Sequence, residues 1–102
     1  MLTKTLKIKN IYMSNDLPMV LIAGPCQIES LNHSRKIAEF LCKLGQKLNF
    51  ELIFKGSFDK ANRTSIRSKR GVGIEEGLTI LDKIKSEFNC PVITDVHEPK
   101  QC

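Results

Sequence analysis

Three apolar runs constrain this chain more than anything else in it. Met19-Val20-Leu21-Ile22-Ala23, Leu52-Ile53-Phe54 and Pro91-Val92-Ile93 each continue without a charged interruption. A strand with one wet face alternates apolar and polar residues, whereas a continuous run suits a strand buried on both faces. The strands are therefore expected over 19–24, 51–56 and 91–96. Helical patterns fill the gaps between them. Ile37, Leu41, Leu44 and Leu48 recur at i, i+4, i+7 and i+11, predicting a helix over 32–48 with Asn32 as its N-cap. Gly45 weakens that helix by about 1 kcal/mol relative to Ala, which leaves its end open. A second helix is expected over 74–88, where Ile74, Leu78, Leu81 and Phe88 share a stripe with Ile84 beside it. Glu75 and Glu76 in its first turn, and Lys83 and Lys85 later, complement the helix dipole.

Strand, helix, strand, helix, strand implies parallel pairing through right-handed crossovers, with both helices on one face. The other face is equally apolar, and no remaining segment is available to cover it. The strand ends Gly24, Gly56 and Val96 lie 32 and 40 residues apart. Eight such units close into a (β/α)8 barrel of roughly 250 residues; a doubly wound open sheet is the alternative. The class expected here is thus α/β, as the first three β/α units of either a TIM barrel or an open sheet. Residues 1–15 form a short hairpin, "TLKI" and "IYMS" about Lys9-Asn10. Residues 16–102 are expected to form an incomplete β/α domain, since a third helix is due after the last strand.

Composition narrows the function classes. Hydrophobic residues make up 41% of the chain, ordinary for a globular domain. No apolar run approaches the ~18–20 residues of a membrane span, and the N-terminus has no continuous apolar signal segment, so a cytoplasmic location is expected. Cysteines stand at 26, 42, 90 and 102 without a CxxC pair, so free thiols are the default. The formal charge is +5, and much of the excess sits in "KGSFDKANRTSIRSKR", where six Lys and Arg face one acid, Asp59. Such a loop is either a solvated charged surface or a binder of small anions. Arg offers a forked pair of donors to a phosphate, and Lys offers a point charge. Phe58 is the only aromatic residue in the stretch, which serves stacked nucleic-acid bases poorly.

In both architectures ligands bind at the C-terminal ends of the strands. The distinctive residues follow those ends: Cys26 after the first, the loop carrying Lys55, Ser57, Lys60, Asn62, Arg63 and Thr64 after the second, and Asp95 and His97 after the third. Cys26 reads as a small buried side chain, a nucleophile or a metal ligand. Asp95 and His97, at i and i+2, either enter one pocket or serve as a capping Asp and a surface His. His33, at a helix start, is expected in solvent.

The segments "AGPCQIES", "FKGSFDKANRTS", "RGVGIEEGLTIL" and "PVITDVHE", in this order from about Asp16 to Glu98, resemble the 3-deoxy-D-manno-octulosonate 8-phosphate synthases. The heptulosonate-phosphate synthases of the aromatic pathway are similar but look like "KPRTS" where this chain has "KANRTS". The resemblance implies a homotetrameric (β/α)8 enzyme of lipopolysaccharide biosynthesis. It condenses phosphoenolpyruvate with D-arabinose 5-phosphate and water, without nucleic acid or membrane partners. It further implies Lys55, Ser57 and Lys60 at phosphoenolpyruvate, and Asn62, Arg63 and Thr64 at arabinose 5-phosphate. Thr64 stands where Ser is usual. Asp95 and His97 would line the aldehyde and the water. Members with Cys in the first motif depend on a divalent metal, which makes Cys26 a ligand here; the other ligands belong to later strands. The chain alone is then expected to be inactive, and a non-catalytic truncated product is the remaining alternative.

Overall fold

The computed structural model of the chain describes residues 4–59 and 72–102. Two short strands come first, β1 (Leu6–Ile8) and β2 (Ile11–Met13), antiparallel with Leu6 opposite Met13. Lys9 turns the chain between them at φ 56°. There follow β3 (Val20–Ala23), α1 (Leu31–Leu48), β4 (Glu51–Lys55), α2 (Ile74–Phe88), β5 (Val92–Ile93) and a single 3-10 turn, Pro99–Gln101. β4 is the central strand, parallel to β3 on one side and β5 on the other. The result is a mixed α/β unit with the expected order of elements.

Register decides what each face of the sheet carries. Ala23 pairs with Phe54 and Phe54 with Val92. Phe54 and Val92 belong to one cluster with Ala38 of α1 and Ile80, Leu81 and Ile84 of α2, so both helices pack on that face. Ile22, Ile53 and Ile93 alternate with those residues and occupy the other face. There Ile53 is buried, but Ile22 is 47% and Ile93 43% exposed. An exposed ion pair between Arg35 of α1 and Glu87 of α2 bridges the two helices. That bond raises the Arg35 pKa and lowers that of Glu87.

Four local expectations change. The N-cap of α1 is Ser30, whose hydroxyl accepts the His33 N–H at 3.1 Å, and Asn32 lies inside the first turn. The sheet-facing side of α1 is small rather than large: Ser34, Ala38 and Gly45 are buried, while Leu48 is 61% exposed. Small side chains bring the helix axis close to the sheet, and Gly45 belongs to that fit. A Cβ there would stand 2.9 Å from the Phe50 carbonyl oxygen. In α2 the buried side is likewise rotated, to Gly77, Ile80, Leu81 and Ile84, leaving Leu78 47% exposed. Finally, the third strand is only Val92–Ile93. Its partner β4 ends at Lys55, so the ladder has nothing further to bond beyond Gly56 N–H to the Ile93 carbonyl, 3.2 Å.

Candidate active site at the strand ends

Where the ladder stops, side chains take over the connections. Ser57, two residues past β4, pairs with Gln27 in an isolated parallel bridge, and its carbonyl accepts the Ile28 N–H at 2.8 Å. The turn after β3, with Cys26 exposed on it, is therefore tied to the end of β4. On the other flank the Ser57 hydroxyl donates to Asp95 Oδ1. Asp95 Oδ2 lies 3.3 Å from His97 Nε2, and that nitrogen is 2.7 Å from the Asp59 carbonyl oxygen. Backbone carbonyls only accept, so Nε2 must carry the hydrogen and donate it. The His97 backbone N–H donates to Gln101 Oε1 at 2.7 Å, fixing the turn that presents the ring.

These contacts set the electrostatics. Asp95 is held below the usual carboxylate value, chiefly because the Ser57 hydroxyl donates to its ionised form. Partial burial opposes this, and its own backbone and the charges of His97 and Lys55 reinforce it. The site is thus an ionised acceptor, a hydroxyl, an imidazole and a cation at one rim of a parallel sheet. The other cysteines differ from Cys26. Burial pushes the Cys90 thiol up to about 11, with Cys42 adding to the effect, and burial also raises Cys42.

Of the sequence-predicted residues, Ser57, Asp95 and His97 form one bonded web. Lys55 acts on that web through its charge, and Cys26 stands one residue before the bridge to Ser57. Lys60, Asn62, Arg63 and Thr64 lie outside the described residues. Asp95 and His97 enter one cluster, as the i, i+2 spacing allows. His33 faces Glu29, with Nδ1 3.5 Å from its carboxylate. Among the described residues no three His, Cys, Asp or Glu side chains converge as a metal site; Cys26 offers one donor.

Sequence reasoning missed two participants. Gln27 is one, recognisable only once its pairing with Ser57 is known. Phe58 is the other. It is 2% exposed and stacks its ring near His97, with centroids 6.4 Å apart, so it is not available to a nucleic-acid base. A lone large apolar residue inside a polar stretch was the available signal. A separate open hollow of about 730 Å³ lies at the opposite end of the sheet, lined by residues such as Lys9, Cys42, Glu51 and Cys90. It shares no residue with the strand-end cluster.

Residues 3–102 match the DAHP synthetase I family. The chain is 60% identical over 99 residues to a 2-dehydro-3-deoxyphosphooctonate aldolase of Rickettsia felis (strain ATCC VR-1525 / URRWXCal2), covering 97% of this chain and 36% of that protein. Identity is 61% to the protein of the same name in Rickettsia typhi (strain ATCC VR-144 / Wilmington), and 58% to that in Rickettsia canadensis (strain McKiel), with the same coverage. The chain thus spans 36% of the length of the curated relatives it matches.

Proposed function

Because the chain belongs to the DAHP synthetase I family, we propose that it is the N-terminal portion of a synthase for 3-deoxy-D-manno-octulosonate 8-phosphate. The reaction is condensation of phosphoenolpyruvate with D-arabinose 5-phosphate and water, releasing inorganic phosphate. Carbon counting separates it from the heptulosonate reading. Eight carbons less the three of phosphoenolpyruvate require a five-carbon aldose phosphate; seven require a four-carbon one. The observation that carries the proposal is the web of Ser57, Asp95 and His97 beside Lys55, in a chain 60% identical to a protein named 2-dehydro-3-deoxyphosphooctonate aldolase.

On this reading the β/α units are the first three of a (β/α)8 barrel, residues 1–15 its hairpin and 16–102 an incomplete domain, in a cytoplasmic homotetramer serving lipopolysaccharide synthesis. Among the described residues no helix is long and apolar enough to cross a membrane. Two phosphorylated substrates brought together repel one another, and the repulsion grows as water is excluded. Lys55, with Lys60 and Arg63 from the basic loop, offsets it and aligns the reacting carbons. Lys55, Ser57 and Lys60 hold phosphoenolpyruvate; Asn62, Arg63 and Thr64 hold the aldose phosphate. Asp95 accepts hydrogen bonds at the aldehyde end, and His97, with Nε2–H engaged, presents Nδ1 as the nitrogen able to accept a proton from water. Cys26 would serve a divalent ion as a thiolate ligand, beside donors that the resemblance puts on later strands. Such an ion, when bound, supplies Lewis-acid polarisation.

The test is a chimera in which residues 3–102 replace the matching part of the Rickettsia felis relative. Phosphate release from phosphoenolpyruvate with D-arabinose 5-phosphate is measured with and without a chelator. Activity with the five-carbon sugar, loss of it in Arg63→Ala and loss on chelation are expected. A folded chimera that turns over only a four-carbon aldose phosphate contradicts the octulosonate reading; one active on neither sugar contradicts the enzymatic reading.

A further inference from the structure

The three consecutive residues after Gly56 each fasten a different part of the strand-end site. Ser57 holds the Asp95 carboxylate and the turn after Cys26, and Asp59 holds His97 through its carbonyl. Between them Phe58 is buried, 2% exposed. Its carbonyl accepts the Gly73 N–H at 3.2 Å, just before α2 begins. Its side chain lies against Gly77, where a Cβ would sit 2.4 Å from the Phe58 Cβ and 3.4 Å from its Cα. Real Cβ contacts are never that close, and the atom met is fixed to the backbone, so no rotation of the Phe58 ring relieves it. Gly77 is also a poor residue for a helix interior, by about 1 kcal/mol against Ala. Its place in α2 is therefore explained by the notch it leaves and not by helix formation.

We infer that Gly77 is a positioning residue: the notch it leaves seats Phe58, which holds the Asp59 carbonyl on His97 Nε2 and so orients the imidazole at the strand ends. The inference rests on the proposed function only for what that imidazole does to a substrate. The hydrogen bond itself is read independently of any activity. Phe58 reinforces the orientation through its ring, which is tilted 58° to that of His97, at a centroid distance within the usual aromatic range.

The test uses the full 102-residue chain, labelled with 15N in histidine, with His97 assigned by comparison with His33→Gln. A ring N–H held by a carbonyl exchanges slowly with water and gives a proton signal; a solvated one does not. The native chain is expected to show that signal from His97 Nε2. Gly77→Ala is expected to lose it while retaining a folded amide spectrum. Phe58→Leu, which keeps the Cβ in the notch, is expected to retain it. Gly45→Ala places a comparable intrusion against Phe50 in α1, away from His97, and is expected to retain it too. Absence of the signal in the native chain overturns the inference, as does its survival in folded Gly77→Ala or its loss in Gly45→Ala. If Gly77→Ala does not fold, Phe58→Leu decides: retention supports the notch, and loss in a folded chain overturns it.

Discussion

Replacing Ser57 by Ala tests the electrostatic core of the strand-end site. The substitution removes the hydroxyl that donates to Asp95 and changes little else in volume. A hydrogen bond to a charged partner contributes about 1.5–3 kcal/mol when well shielded. The Asp95 side chain is 39% exposed, so water replaces part of what is lost. The expected net loss at pH 7 is therefore about 1 kcal/mol. With a urea slope of roughly 1 kcal/mol/M for a chain of this size, the midpoint falls by about 1 M. The pH dependence follows from the direction of the Asp95 shift. Its folded pKa lies below the ordinary 3.8, with the Ser57 hydroxyl as the leading cause. A depressed carboxyl adds stability that is complete above the unfolded value and disappears as pH falls through the folded one. The difference between native chain and Ser57→Ala is thus full from pH 7 to about 5 and shrinks below 3.8. Urea titrations at pH 7, 5 and 3 measure it. An equal loss at all three values would assign the effect to packing, and no loss at pH 7 would remove the hydrogen bond from the account.

Three further outcomes are expected. Gly24→Ala places a Cβ 1.8 Å from the Lys55 carbonyl oxygen; it should force β3 and β4 apart and cost about 2–3 kcal/mol in urea unfolding, although Gly24 is solvent-exposed. Phe54→Ala empties the centre of the core, where the side chain is 0% exposed; a loss of roughly 3–5 kcal/mol should leave little or no cooperative transition. Alkylation followed by mass spectrometry at pH 8 should modify the exposed Cys26 and Cys102 first, with Cys42 slower and Cys90, at about 11, slowest in the folded chain; equal rates at all four would contradict the burial described here.

The order of elements and their parallel pairing were legible because they depend on periodicities that survive without tertiary information. The continuous runs around Ile22 and Ile53 mark β3 and β4, and the stripe through Leu81 marks α2. Which side of each helix faces the sheet was not legible. Periodicity selects the largest residues, whereas close approach to the sheet selects the smallest, and Ser34, Ala38 and Gly77 prevailed over Leu48 and Leu78. The shortness of β5 depends on where its neighbour ends, a fact carried by Lys55 and not by Thr94 or Asp95. The proximity of Asp95 to His97 followed from their spacing alone. Their connection to Ser57 and Asp59, some 38 residues away, depends on strand order and register. Phe58 shows the same limit: its charged neighbours pointed to solvent, and only the glycine notch in α2 takes it inside.

Titrating millimolar phosphoenolpyruvate into the 15N-labelled chain, and following every assigned amide, tests the central claim most directly. The account predicts shifts concentrated at 55–57 and 95–97, with the turn at Cys26 following and the hollow near Lys9 and Glu51 unmoved. Shifts confined to that hollow, or none at all in a folded chain, would contradict it.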